Sequence, residues 1–223
     1  MNNIKKYIPY FYLTAIYILV FFQYPASIRV GSFLFHSNIA ADIQPSYLLI
    51  WGLMRILIVM PMIFALLIHL NKKPGSIFLN FGDKNRMISL TFWVTTLFVL
   101  LGILFYPYFL VESSLTVTRL MYLIPFFSLF AISNAFVEET FFRGASLTIL
   151  SEKFGFWLGN IVQALFFGLI HIINPMSSNL LLFVFLTFAL GLVWGWVTKY
   201  TKSLIPAIVC HIVADIFVAI SLF

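Results

Sequence analysis

The stretch LMYLIPFFSLFAISNAFVEETFFRGASLTIL, residues 120–150, is almost wholly apolar, yet it contains Glu138, Glu139 and Arg143. An ionised side chain near the centre of a lipid bilayer costs about 2.5 kcal/mol or more. Carboxylates in such surroundings therefore usually have a partner, face a hydrated cavity and perform a function. We accordingly expect this stretch to be a membrane helix that carries part of a functional site.

The composition of the whole chain predicts an all-α fold, a polytopic helical bundle in a membrane. Of the 223 residues, 62% are hydrophobic and 9% are charged, whereas a soluble domain has about 25% charged residues. A spanning helix needs about 20 mostly apolar residues. About seven such stretches occur, at residues 8–24, 47–70, 88–111, 120–150, 156–173, 179–198 and 203–223. We expect them to form a single transmembrane domain, residues 1–223.

The chain has a net charge of +6. The positions of its basic residues predict an orientation in the membrane and no nucleic-acid partner. Lys and Arg cluster in loops that fall on one side of the expected bundle: Lys5, Lys6, Lys72, Lys73, Lys84, Arg86, Lys153, Lys199 and Lys202. The opposite loops hold only Arg29 and Arg119. Because basic loops stay in the cytoplasm, we expect a cytoplasmic N-terminus. The small size and the residue usage favour a bacterial plasma membrane.

Helix geometry predicts different roles for the two adjacent acids. Glu139 and Arg143 are four residues apart, so on a helix they share a face and form an ion pair. Glu138 points about 100° away, and we expect it to remain unpaired and free for proton transfer. The alternative is a polar cluster at a helix end whose side chains reach the membrane surface.

Two histidines follow in the next hydrophobic segments. His171 shares a helix face with Phe167, and His211 shares one with Asp215. Glu138 and His171 each lie about 24 Å along a helix from the expected turn at 151–155, which predicts that they sit at one depth. For His171 alone, a packing residue bonded to a neighbouring carbonyl is the alternative.

Arg55 is a further charged residue, in the second apolar stretch. Its long side chain could line the same polar cavity, or it could extend from a tilted helix to the outer headgroups. We expect the second arrangement.

The ordered motifs Glu-Glu-x-x-x-Arg, Phe-x-x-x-His and His-x-x-x-Asn/Asp resemble the CPBP family, which contains type II CAAX prenyl endopeptidases and bacteriocin-processing or immunity (Abi) proteins. The resemblance covers about residues 120–223, the expected catalytic core, whereas residues 1–119 match only as family-variable N-terminal spans. It implies an intramembrane endopeptidase, of the glutamate or metalloendopeptidase type. The implied substrate is a membrane-associated or secreted peptide or protein at the lipid bilayer.

The resemblance also implies roles for individual residues. Glu138 would activate a water as general base with help from His171, while His211 and Asp215 would bind the oxyanion or complete the polar cage. The supporting residues would be Glu139, Arg143 and Phe167. Asp215 departs from the Asn of the prenyl endopeptidases, and an ionised carboxylate would repel an oxyanion. It must therefore be protonated, hold His211 as an imidazolium or bind a metal.

Alternatives remain for the cofactor and for the function. Glu138, His171, His211 and Asp215 form a credible zinc set with one position left for water, although we expect a metal-free enzyme. A non-catalytic membrane scaffold, or an immunity or regulatory protein, would instead bind a partner enzyme or sensor kinase. A transporter would show inverted repeats or broken helices, which the sequence does not indicate.

Overall fold

The computed structural model describes residues 7–35, 45–110, 116–173 and 180–221, which are helical apart from short turns. The expected all-α class is confirmed. In chain order the segments are α1 (Ile8–Phe35), α2 (Pro45–Met54), a π-helical segment (Arg55–Val59), α3 (Met60–His69), a 3₁₀ turn (Pro74–Ile77), α4 (Lys84–Leu110), α5 (Val117–Glu139), a second π-helical segment (Thr140–Ser146), α6 (Leu147–Phe154), α7 (Phe156–Leu169), a second 3₁₀ turn (Ile170–Ile173), α8 (Leu180–Thr201) and α9 (Ile205–Ser221).

Four stretches among the described residues are long and apolar enough to cross a membrane: Ile50–His69, Lys84–Leu104, Thr118–Phe154 and Leu180–Thr201. Three further apolar helices are shorter: Ile8–Phe22, Phe156–Ile172 and Ile205–Ile220. All seven coincide with apolar stretches found in the sequence. The crossing of the membrane by the shorter three stays a prediction, as does the cytoplasmic N-terminus, whose Lys5 and Lys6 lie outside the described residues.

The first helix is longer than the sequence predicted. We expected it to end near residue 24 and Arg29 to lie in a loop, but α1 continues to Phe35. Pro25 lies within this helix, although proline removes a backbone donor. A helix in apolar surroundings tolerates this loss, since its other backbone groups must stay bonded to one another.

Helix α5 lies at the centre of the packing around the charged residues. It contacts α2 on one side and α9 on another, while α7 packs against α6 and α8. Glu139 and Arg143 are consequently 0% exposed.

The expected hairpin after the fourth apolar stretch is present. Helix α6 ends at Phe154, Gly155 turns the chain with a φ of 79°, and α7 begins at Phe156. A Cβ atom on Gly159 would lie 2.8 Å from the backbone nitrogen of Ser151. The two helices therefore approach closely beside the turn.

Both π-helical segments lie next to or contain charged residues of the candidate site. One starts at Arg55, and the other follows Glu139 directly. We expected a regular α-helix across residues 137–144, and from residue 140 that expectation is wrong. A π-helical turn accommodates an extra residue and re-aims the side chains around it, and such turns occur frequently at functional sites.

The loop between α3 and α4 is tied to the connection between α8 and α9. The Asp83 backbone nitrogen donates to the Thr201 carbonyl over 2.8 Å, and the Leu204 nitrogen donates to the Phe78 carbonyl over 3.1 Å. Gly82, with a φ of 52°, lies against the carbonyls of Thr201 and Lys202. These bonds fix the start of α4 against the end of α8.

Candidate active site

The expected ion pair between Glu139 and Arg143 is present and fully buried. Arg143 Nη1 donates to Glu139 Oε1 over 2.9 Å, and both side chains are 0% exposed. The Arg143 guanidinium carbon also lies 3.9 Å from the centre of the Phe167 ring, a favourable cation–π contact. Arg143 therefore joins the helix of the first motif to that of the second.

Glu138 is paired, contrary to the expectation that it remains free. Its Oε1 accepts from Nη1 of Arg55, and both side chains are only 4% exposed. The expectation that Arg55 reaches the headgroups is wrong, and its alternative position beside the polar site is the one observed. Arg55 belongs to no recognisable motif, so its sole signal in the sequence is a charge within an apolar span.

His211 lies among three carboxylates. Its Nδ1 is 2.7 Å from Glu139 Oε1, and its Nε2 is 3.6 Å from Glu138 Oε2 and 3.5 Å from Asp215 Oδ1. The expected pairing of His211 with Asp215 on one helix face is thus present. The contact with Glu139 was not anticipated, because it joins two helices.

Asn134 connects two of the charged groups and was missed from the sequence. Its Oδ1 accepts from Arg55, and its Nδ2 donates to Asp215 Oδ2 over 2.9 Å. Chemistry fixes this orientation of the amide, since a guanidinium only donates and a carboxylate accepts. A signal was present, because Asn134 precedes Glu138 by four residues and so shares its helix face.

Five side chains thereby form a closed series of contacts, which we call the polar ring: Arg55, Glu138, His211, Asp215 and Asn134. Glu139 and Arg143 attach to it through His211. Buried charges are stable only when they are paired and hydrogen-bonded, and the polar ring supplies these partners.

His171 lies beside the polar ring. Its Nδ1 is 2.7 Å from the Phe167 carbonyl oxygen, which can only accept, so Nδ1 carries the proton in this contact. Its ring centre is 4.9 Å from that of Phe167, and the His211 ring centre is 5.9 Å from the same phenyl ring. Phe167 therefore lies against both histidines.

A cavity of about 350 Å³ opens beside the two histidines and Asp215. The rest of its lining is apolar except for one threonine: Phe98, Phe167, Leu182, Phe183, Leu186, Thr187, Leu190, Trp194, Ala214 and Val218. We refer to it as the apolar cavity. It offers an apolar segment a place next to imidazole and carboxylate groups.

The side-chain positions do not fit the zinc set considered from the sequence. Among the described residues, no three His, Cys, Asp or Glu side chains are grouped so that they could hold a metal ion. Arg55 already engages Glu138 Oε1, Glu139 engages His211 Nδ1, and the Phe167 carbonyl engages His171 Nδ1. One atom each of Glu138, His211 and His171 is therefore committed to a protein partner.

Residues 119–217 match the family model described as type II CAAX prenyl endopeptidase, Rce1-like. This region is therefore similar to the CAAX protease family. No curated protein and no solved structure matches the chain. The match supports the assignment of the chain as a protease. Together with the four helices among the described residues that could span a membrane, it supports an integral membrane protein. Arg55 lies outside the matched region, whereas the rest of the polar ring lies within it.

Proposed function

We propose that this protein is an intramembrane endopeptidase in which Glu138 activates a water molecule that hydrolyses a peptide bond. The observation that carries the proposal is the buried Oε2 of Glu138, which accepts no hydrogen bond within the described part of the chain. It lies 3.6 Å from Nε2 of His211. Two atoms at this separation can both bond one water molecule at about 2.8 Å.

The proposed reaction is a general-base hydrolysis. Glu138 Oε2 takes a proton from the water while the water oxygen attacks the amide carbon, and the C=O electron pair moves to the oxygen to give an oxyanion. The Nε2–H of His211, which lies 3.6 Å from Glu138 Oε2, donates to this oxyanion. When the C–N bond breaks, the leaving nitrogen takes the proton from Glu138, which restores the carboxylate.

The two histidines would divide the remaining work. With Nδ1 donating to a carbonyl, neutral His171 has an acceptor at Nε2, which suits the second hydrogen of the water. His211 faces carboxylates with both nitrogens, an arrangement in which an imidazolium donates from each. Asp215 would then hold His211 as an imidazolium, the second of the three roles left open by the sequence.

Charge counting supports an imidazolium at His211. The site contains three carboxylates, those of Glu138, Glu139 and Asp215, and two guanidiniums. One positive charge on His211 would make the group neutral. A buried group with balanced charge avoids the large cost of an unpaired ion.

The apolar cavity supports a substrate with hydrophobic residues next to the cleaved bond, as in a membrane-associated peptide or protein. We further propose that all seven apolar helices cross a bacterial plasma membrane with the N-terminus in the cytoplasm. Residues 120–223 would form the catalytic core, and residues 1–119 the family-variable spans of the same domain.

One observation favours a second candidate, a non-catalytic scaffold or immunity protein that binds a partner enzyme or sensor kinase. Glu138 is already ion-paired with Arg55, and an ion-paired carboxylate is a weaker base than a free one. A scaffold would need the pair only for stability. The two functions therefore differ in whether the Glu138 carboxylate is required for turnover.

Purified protein in lipid vesicles should be incubated with a farnesylated fluorogenic CAAX peptide and with unprenylated apolar peptides. We expect Glu138→Gln to lower cleavage at least about 100-fold, and the exposed control Glu152→Gln to leave it unchanged. A chelator should have no effect, since no side chains are grouped as metal ligands within the described residues. Cleavage by folded Glu138→Gln at the wild-type rate would refute the mechanism, and a wild-type protein inactive on every peptide would favour the scaffold.

A further inference from the structure

We infer that Arg55, outside the matched family region, is a positioning residue that fixes which oxygen of Glu138 acts as the base. The inference rests on the proposed function. It extends the site to the second apolar span, to which neither the family motifs nor the matched residues 119–217 assign a role.

The contacts of Arg55 determine the orientation of the Glu138 carboxylate. Nη1 of Arg55 donates both to Glu138 Oε1 and to Asn134 Oδ1, so one nitrogen joins two residues that are one turn apart on α5. Hydrogen bonds between a guanidinium and a carboxylate are among the stronger ones in proteins. With Oε1 held in this way, the carboxylate cannot exchange its oxygens, and Oε2 stays turned towards His211, 3.6 Å away.

The local backbone conformation places the Arg55 side chain near Glu138. Arg55 starts a π-helical segment, which changes the direction of the side chains in that turn. One turn earlier, Gly52 lies against Ser133 of α5. A side chain at residue 52 would separate α2 from α5, so the glycine allows Arg55 to reach Glu138.

The aromatic neighbour of Arg55 provides a further constraint. The guanidinium carbon lies 5.1 Å from the centre of the Trp51 ring, within the range of a cation–π contact. Arg55 is thus held between an aromatic ring on its own helix and two acceptors on α5. A buried cation with this many contacts has little freedom to move away from Glu138.

Arg55 should affect turnover more than substrate binding. It is not one of the residues that line the apolar cavity, so its replacement leaves the substrate surface intact. Its replacement does free the Glu138 carboxylate to rotate. Misplacement of a reacting group by about 1 Å can cost about 100-fold in rate.

The experiment compares Arg55→Gln and Arg55→Lys with the control Arg86→Gln, using the farnesylated CAAX peptide or whichever probe peptide is cleaved. Arg86 is 51% exposed and pairs with Asp83 at the protein surface. We expect Arg55→Gln to lower kcat about 100-fold with KM within about two-fold, since the cavity is unchanged. Arg55→Lys, which keeps the charge and one donor direction, should recover part of kcat, and Arg86→Gln should match wild type.

A double-mutant cycle tests the contact apart from catalysis. Thermal unfolding of Arg55→Gln, Glu138→Gln and the double variant should be non-additive, because either single change leaves a buried charge without its partner. Additive effects would overturn the inference, as would wild-type kcat in folded Arg55→Gln or a change in KM alone. An inactive wild-type protein would overturn the proposed function and this role together.

Discussion

Gly52 lies directly against Ser133, so that α2 and α5 touch one turn before Arg55. A Cβ atom at residue 52 would overlap Ser133 Oγ and lie 3.1 Å from Ser133 Cβ. We therefore expect Gly52→Ala to push the helices apart and to draw Arg55 away from Glu138. Peptide cleavage should fall about ten-fold or more, measured as kcat on reconstituted protein.

The matching control removes the side chain of Ser133, alone and together with Gly52→Ala. Ser133 Oγ donates to the Phe130 carbonyl within its own helix, over 2.9 Å, so Ser133→Gly alone should cost only about 1 kcal/mol of unfolding free energy, as expected for glycine in a helix. The double variant Gly52→Ala/Ser133→Gly should regain the close approach and most of kcat. A double variant as slow as Gly52→Ala would show that the contact does not position Arg55.

The hydrogen bond between Asn134 and Asp215 within the polar ring can be tested by exchanging the two side chains. Asn134→Asp would place a carboxylate oxygen where Nδ2 now donates to Asp215 Oδ2 over 2.9 Å. Two buried like charges at this distance repel strongly, so we expect a loss of about 1 to 3 kcal/mol in unfolding free energy. Thermal unfolding in detergent measures the loss.

The exchanged pair Asn134→Asp/Asp215→Asn keeps both the number of charges and a donor–acceptor pair at the same place. It should therefore be more stable than Asn134→Asp alone. Residue 215 would then be the Asn found in the prenyl endopeptidases that the sequence resembles. If the exchanged pair is no more stable than the single variant, the Asn134–Asp215 contact does not contribute as described.

The sequence predicted those features of the fold that depend on local order. Apolar stretches of sufficient length located the helices, and the segment 151–155 located the hairpin turn, which in the structure is at Gly155 because residues 151–154 continue the helix. The ion pair of Glu139 with Arg143 follows from the spacing of four residues on one helix. Such features need no knowledge of which helices are neighbours.

The contacts between helices could not be predicted in this way. Arg55 meets Glu138, and His211 meets Glu139, because α5 packs between α2 and α9. A helical period shows which face of a helix is polar, but it does not show which other helix covers that face. The π-helical turns add to the difficulty, since each re-aims the following side chains relative to a regular helix.

Gly82 and Gly155 both adopt a backbone conformation that favours glycine, but only Gly82 is closely packed against other atoms of the described residues. Alanine variants at the two positions therefore distinguish backbone strain from steric overlap. Both have positive φ, 52° and 79°, so alanine at either position should cost about 1 to 3 kcal/mol of unfolding free energy. A Cβ at Gly82 would also lie 2.5 Å from the Lys202 carbonyl oxygen, whereas one at Gly155 meets no atom within 4 Å in the described residues. We expect Gly82→Ala to lose about 1 to 3 kcal/mol more than Gly155→Ala, measured by thermal unfolding. The overlap would also break the bond from Asp83 to Thr201, which holds the start of α4 against the end of α8. Equal losses in the two variants would contradict this close packing of the loop.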